Sequence, residues 1–247
     1  MRLSERNRKM WFSSRKIRVR DSGIFEHFCD YHCHLLPEVD DGVAHEAETM
    51  RILALWEQLS VQQVWLTPHI MEDIPNKTSE LRRKFEALAA RYCGSVQLHL
   101  AAEHMLDGLF LRRIEEGDLL PIGPQGSMLL VETSYYTAPM NMEKILEQVK
   151  QKGYTPLLAH PERYQYMEQS DYRHWKDRGV LLQLNVPSLV GAYGPEVQAK
   201  ARKLLNLGLY DCCGTDTHSI EQMSYFLESP ISTKVVKKLK RLIERNL

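Results

Sequence analysis

No apolar run in the sequence approaches the roughly 18 residues of a membrane-spanning helix. Charge of one sign is also missing. The 247 residues carry 32 Lys and Arg against 32 Asp and Glu, so no global field favours nucleic acid. The five cysteines (Cys29, Cys33, Cys93, Cys212 and Cys213) are odd in number and show no C-x-x-C spacing. Reduced thiols in a cytoplasm fit that usage. A thiol-based phosphatase needs an arginine six residues after its cysteine. The residues found there are Leu35, Val39, His99, His218 and Ser219. A nucleotide-binding G-x-x-x-x-G-K-[ST] loop and a G-x-S-x-G nucleophile elbow are absent as well. The first twenty residues hold eight Arg or Lys and one Glu, without the apolar core of a secretory signal. Residues 1–27 are expected to be a mobile basic extension. It could touch an anionic membrane surface or a partner, or dock on the body through Met10-Trp11-Phe12.

What remains is an alternation. Strand-like runs at 28–36, 64–70, 96–102, 128–132, 156–160, 180–186 and 210–215 are each followed by a helical pattern. The helices are expected at 44–59, 79–92 with Ser79 as cap, 107–116, 142–152, 171–178, 196–207 and 234–245. Repeated βα units with apolar strands predict a parallel sheet, and no linker divides them. The reading is a single α/β domain over 28–247, a distorted, TIM-barrel-like seven-stranded (β/α)7 barrel.

Polar residues gather at the strand ends, where barrel enzymes place their chemistry. Asp30-Tyr31-His32-Cys33-His34 puts two imidazoles at i and i+2, on one face of a strand. Cys33 then faces away and is read as core. Asp41 lies in the next loop. His69, Glu103, Glu132 and His160 end later strands, and Asp216 with His218 follows the seventh. Imidazole with carboxylate suits divalent metals such as Mn, Fe or Zn. Nine such side chains exceed the needs of one ion with an open position and suit two or three. Closely spaced ions generate hydroxide and clamp an in-line displacement, which makes phosphate-ester hydrolysis the natural reaction. His104 directly follows Glu103 and should point elsewhere. Arg163, three residues beyond His160, is a bidentate match for phosphate oxygens.

These residues resemble the PHP (polymerase and histidinol phosphatase) superfamily. The resemblance is narrowest to its metal-dependent protein tyrosine phosphatases of bacterial capsule and exopolysaccharide systems. It is carried by DYHCHLLPEVDDG at 30–42, TPH at 67–69, AAEH at 101–104, VETS at 131–134, LAHPERY at 158–164 and GTDTH at 214–218. It implies three metals, usually manganese, and hydrolysis of phosphotyrosine by activated hydroxide. Carried over by motif, His32, His34, Glu103 and Asp216 hold one ion. Glu103 bridges to a second, completed by Glu132 and His160. Asp41, His69 and His218 hold the third, and Arg163 binds phosphate. The implied partner is an autophosphorylating tyrosine kinase of polysaccharide export. The expected location is the cytoplasm, with peripheral association at the inner membrane. Many members carry Arg-Pro after the last D-x-H, whereas Ser219-Ile220-Glu221-Gln222-Met223 follows here, without arginine. Two alternatives share the site: a small-molecule phosphatase of the histidinol-phosphate or sugar-phosphate type, and a non-catalytic metal-stabilised docking module.

Overall fold

A computed structural model describes residues 15–245. The expected docking of Met10-Trp11-Phe12 lies outside the described residues. The chain runs β1 (Lys16–Arg18), β2 (Cys29–Cys33), α1 (Glu46–Gln58), β3 (Gln63–Leu66), β4 (His69–Ile70) and α2 (Thr78–Arg91). Next come β5 (Gln97–Leu100), β6 (Glu103–Met105), α3 (Gly108–Glu116), β7 (Met128–Glu132), α4 (Met142–Gln151) and β8 (Thr155–Leu158). The last third holds α5 (Gln169–Asp177), β9 (Leu181–Asn185), α6 (Pro195–Leu207), β10 (Cys212–Gly214), α7 (Ile220–Glu228), β11 (Pro230–Ser232) and α8 (Thr233–Ile243).

The fold is α/β. Six parallel strands in the order β10-β9-β8-β7-β6-β4 make a half-barrel, and β2-β3-β5 make a second parallel sheet. The strands expected at 64–70 and 96–102 are each split in two. Pro68 interrupts the first of these, because it has no N–H for a ladder. Beside it the Thr67 hydroxyl accepts from Cys33 N and donates to Cys33 O, at 3.1 and 3.2 Å. Beyond the break His69 pairs in register with Glu103, and Met105 pairs with Glu132. The hydrogen bonds therefore draw two sheets rather than seven continuous staves. The first and last strands meet through single bonds. Asp216 N donates to His32 O at 2.7 Å, and His34 N donates to Thr217 O at 2.9 Å.

Alternation along the strands sorts two cores. On β7, Met128 and Leu130 join an inner cluster with Tyr31, Trp65, Leu157 and Cys212. Leu129 and Val131 join the larger outer cluster under the helices. A strand buried on both faces reads as continuously apolar, as β7 does. On β2 the register with β3 shifts between Asp30 and Cys33. Tyr31 consequently faces the inner core, while Cys33 faces the outer one. Helix ends follow local chemistry. Asp107 caps α3 by accepting from Phe110 N, and Ser219 caps α7 by accepting from Gln222 N. Ser79, expected as the cap of the second helix, lies inside α2, which begins at Thr78. Among the described residues no helix is long and apolar enough to cross a membrane.

Residues 15–27 are built into the body rather than extending from it. Strand β1 pairs antiparallel with β11, and Val19, Ile24 and Phe25 are buried in the outer core. The basic residues around them obscured this in the sequence. Arg18 and Arg20 point outward to Glu228, while their apolar neighbours point in. The Phe25 ring meets Phe28 at 5.6 Å and Phe226 at 6.2 Å, both edge to face. Removing it leaves a cavity where segments from both ends of the chain meet. Phe25→Ala is expected to lower unfolding free energy by about 3–5 kcal/mol in urea titrations. A loss within experimental error of zero would return these residues to an extension.

Candidate metal centre

The strands deliver their polar ends to one point. His32 Nε2 lies 3.1 Å from His34 Nε2, 3.1 Å from Glu103 Oε2 and 3.5 Å from Asp216 Oδ1. His34 Nε2 lies 3.4 Å from both Glu103 Oε2 and Asp216 Oδ1. His69 Nδ1 stands 3.2 Å from Glu103 Oε2 and 3.0 Å from Glu132 Oε1. His160 Nε2 reaches Glu103 Oε1 at 2.9 Å. The outer rim is Asp41, with Oδ1 at 3.5 Å from His69 Nε2 and 3.6 Å from His218 Nε2. The structure thus brings together all nine side chains named from the sequence. His104 turns away to Leu130 O at 3.2 Å, and burial lowers its imidazole to a pKa of about 4.

Four groups have ligand atoms close enough to hold a cation: His34–Asp41–His69–His218, His32–His34–Asp216, His32–Glu103–His160 and His69–Glu103–Glu132. The grouping differs from the motif-based partition, and His34 joins the rim set as well as the set with His32 and Asp216. His69 serves both the rim and the Glu103–Glu132 pair, and His160 sits with His32. A direct test of fit is the fate of the buried polar atoms. His69 Nδ1, Glu103 Oε2 and Glu132 Oε1 are buried and make no hydrogen bond, although they converge within 3.2 Å. Buried polar atoms in folded proteins are nearly always paired, and an ion is one of the few explanations for exceptions. The donor set and the orphaned atoms both fit divalent metal.

Electrostatics agree. Burial alone would raise Glu103 and Asp216, but the imidazoles around them, joined at Asp216 by Arg163, hold both carboxyls well below their ordinary range. Burial would lower His32, but Glu103 and Asp216 override it and raise the imidazole to about 9. Without a cation, protons neutralise the cluster.

A supporting layer fixes the ligands. Asp40 Oδ2 accepts from His34 Nδ1 at 2.8 Å and from His69 N at 3.0 Å. Its own burial is outweighed by the His34 charge, which leaves its pKa at about 2. Gln183 Oε1 meets His32 Nδ1 at 3.1 Å and accepts from His160 N at 3.3 Å. Asp30 Oδ1 accepts from Thr215 N at 2.8 Å and from His32 N at 3.1 Å, tying the first strand to the last. Gly214 lets β10 approach: a Cβ there would fall 2.5 Å from His32 Cβ. His160 and Asp216 occupy the left-handed region, with φ of 32° and 52°. Non-glycine residues seldom adopt it, and it clusters at functional sites. Sequence reasoning passed over Asp40 for its neighbour Asp41, and Gln183 carried no signal because a glutamine inside a strand reads as a solvent-facing residue.

Arg163 lies beside this cluster. Its Nη1 donates to Asp216 Oδ2 at 2.7 Å, and its guanidinium sits between Tyr135 and Tyr193, 4.4 and 4.3 Å from the ring centres. Asn185 Nδ2 donates to the same Asp216 oxygen at 3.0 Å.

Metal ligation needs neutral imidazole, so binding must displace protons. His32 keeps its proton until about pH 9 in the metal-free protein. Calorimetric affinity for Mn²⁺ is therefore expected to rise as pH climbs from near neutrality to about 9, with proton release. Asp40→Asn removes the carboxylate behind His34 and should weaken affinity about 10–100-fold. Affinity independent of both pH and Asp40 would refute this ligand set.

The comparisons with known proteins converge. YwqE of Bacillus subtilis, a tyrosine-protein phosphatase, is 23% identical over 208 residues, covering 82% of each chain. CpsB of Streptococcus pneumoniae, also a tyrosine-protein phosphatase, is 25% identical over 212 residues, 81% of this chain and 86% of that one. A solved structure from work on YwqE and CpsB, described as metal-dependent tyrosine phosphatases, superimposes with a TM-score of 0.74. At 22% identity over 86% of each chain, that likeness establishes the common fold. The family model for capsular polysaccharide synthesis, CpsB/CapC, matches residues 28–245. The chain belongs to the CpsB/CapC family of capsular polysaccharide synthesis proteins.

Proposed function

We propose that this chain is a metal-dependent protein tyrosine phosphatase. The observation that carries the reading is the position of Arg163. One guanidinium, held between two tyrosine rings, stands 2.7 Å from an oxygen of Asp216, itself part of the ligand cluster. A phosphate ester can meet the arginine on one side and the cluster on the other. A cavity of about 620 Å³ lined by Arg163, Tyr193 and Lys200 opens beside it. That volume lies within the ordinary range for organic ligands.

We assign His32, His34, Asp41, His69, Glu103, Glu132, His160, Asp216 and His218 as metal ligands, with three ions, most simply Mn²⁺. When bound, such ions supply an activated water and neutralise phosphate oxygens. Arg163 then binds two non-bridging oxygens in its planar fork, and Tyr135 and Tyr193 keep that fork in plane. Burial would lower the Arg163 pKa, but Asp216 raises it, so the group stays cationic. Water oxygen attacks phosphorus, the bond from phosphorus to the tyrosine oxygen breaks, and tyrosinate takes a proton from solvent. A phenol has a pKa of about 10, so this leaving group needs little help from a general acid.

The family's link to capsular polysaccharide synthesis and the relatives' names as tyrosine phosphatases support a kinase of polysaccharide export as the substrate, met in the cytoplasm at the inner membrane. The bonds from Asp216 to His32 and from His34 to Thr217 support treating the two sheets as one seven-unit ring. At the position after His218 where many relatives carry arginine, Ser219 caps α7 and Gln222 Oε1 accepts from His218 N at 2.6 Å.

The Mn²⁺-loaded protein should hydrolyse phosphotyrosine peptides and p-nitrophenyl phosphate, and a chelator should abolish both activities. Arg163→Ala should lower kcat/KM about 100-fold or more, with metal content by mass spectrometry unchanged. No hydrolysis by folded, metal-loaded protein would overturn the assignment.

A further inference from the structure

The last helix carries a feature that the metal site does not use. Lys234, Lys237, Lys238, Arg241 and Arg245 recur at i, i+3, i+4, i+7 and i+11, which places them on one side of α8 and its final turn. The opposite side, Val236, Leu239 and Leu242, is buried in the outer core. Four of the five cations are exposed and Lys238 is half-buried. None of the five forms an ion pair among the described residues. Lys240 falls outside the stripe, against Gly23 and a cavity shared with Glu26. Glu244 is the lone acid between Pro230 and Arg245. The stripe spans about 16 Å at the helical rise. In a chain of zero formal charge, it concentrates positive potential on one face.

Two further observations bear on what meets this face. A cavity of about 220 Å³ lies alongside it, lined by Lys238, Arg241, Arg245 and Tyr210. It can take an anionic group between three cations. The N-terminal chain also arrives here: Thr233 N, at the start of α8, donates to Arg15 O at 2.9 Å, and β1 pairs with β11 just before the helix. Arg15 and Lys16, both exposed, therefore stand beside the start of the stripe.

We propose that the basic face of α8, with Arg15 and Lys16 beside its start, docks on the anionic phospholipid surface of a membrane. Lysines outnumber arginines on the stripe, which suits a diffuse field of headgroups more than bidentate pairing with one partner. The cavity lies by Gly208 and Tyr210, before β10, whereas Asp216 and His218 follow β10. Docking at that end leaves the metal-lined end facing away from the lipid, open to a protein substrate.

The test is sedimentation of the full chain with vesicles of phosphatidylcholine alone or mixed with phosphatidylglycerol. Binding is expected only to the mixed vesicles, with release as salt rises. Lys237→Ala/Lys238→Ala/Arg241→Ala should lower the partition coefficient about 100-fold, at roughly fivefold per cation, with hydrolysis of p-nitrophenyl phosphate unchanged. If that variant fails to fold, Lys234→Ala/Lys237→Ala, at two exposed positions, should lower it about 25-fold. Equal binding to both vesicle types overturns the proposal. So does binding that survives the substitutions in α8 and disappears only when residues 1–14 are removed. Preference for double-stranded DNA or polyglutamate over mixed vesicles at the same salt also overturns it.

Discussion

Glu103 is fully buried, and its two oxygens are shared among four imidazoles. Oε2 stands 3.1, 3.4 and 3.2 Å from His32, His34 and His69, and Oε1 stands 2.9 Å from His160. An ionised carboxylate removed from water costs several kcal/mol unless it is paired and hydrogen-bonded. The surrounding fold answers that cost. Strand β6 is split from β5 so that Glu103 pairs in register with His69. The Asp30–Thr215 contacts pin the first strand to the last, which brings His32 and His34 into reach. The left-handed backbone at His160 and Asp216 aims their side chains inward.

Most of this was legible as chemistry and less of it as geometry. The nine side chains of the cluster stood out because histidines and carboxylates recur where apolar runs stop. Cys33 was read correctly as core, but the reason is richer than alternation. Alternation alone would place Tyr31 and Cys33 on one face, and the register shift in β2 separates them. Asp40 was missed because a carboxylate that orients an imidazole looks, in sequence, like one that binds a metal. The break at Ala101-Ala102 was illegible because apolar residues continue across it, whereas Pro68 was the visible mark of the first break. Residues 15–27 were read as part of a tail for a different reason. Arginines that shield a short edge strand look like a solvated tail.

The aromatic flanks of Arg163 connect site and scaffold. Tyr193 holds the guanidinium on one face, and its hydroxyl accepts from Asn185 Nδ2 at 3.1 Å, while that same amide donates to Asp216. Asn185 in turn receives support from Glu162, whose Oε1 accepts its N–H at 2.9 Å. Glu162 is buried and also accepts from Tyr210 at 3.0 Å. A polar chain therefore runs from Tyr210, just before β10, through Glu162 and Asn185 to Asp216 and Arg163. Its members have few alternatives, because an unsatisfied polar group at that depth is costly.

The bond from Thr215 to Asp30 spans 185 residues. During synthesis at about 5–20 residues per second, His32 and His34 wait roughly 10–40 s for the segment that completes their surroundings. Throughout that interval the nascent chain displays an H-x-H pair on a strand that can pair with β3 on one edge while its other edge waits for the segment after β10. Metal capture in its final form thus waits for the segment that carries Asp216 and His218, and the order of the sequence acts as a clock for when the protein can acquire activity.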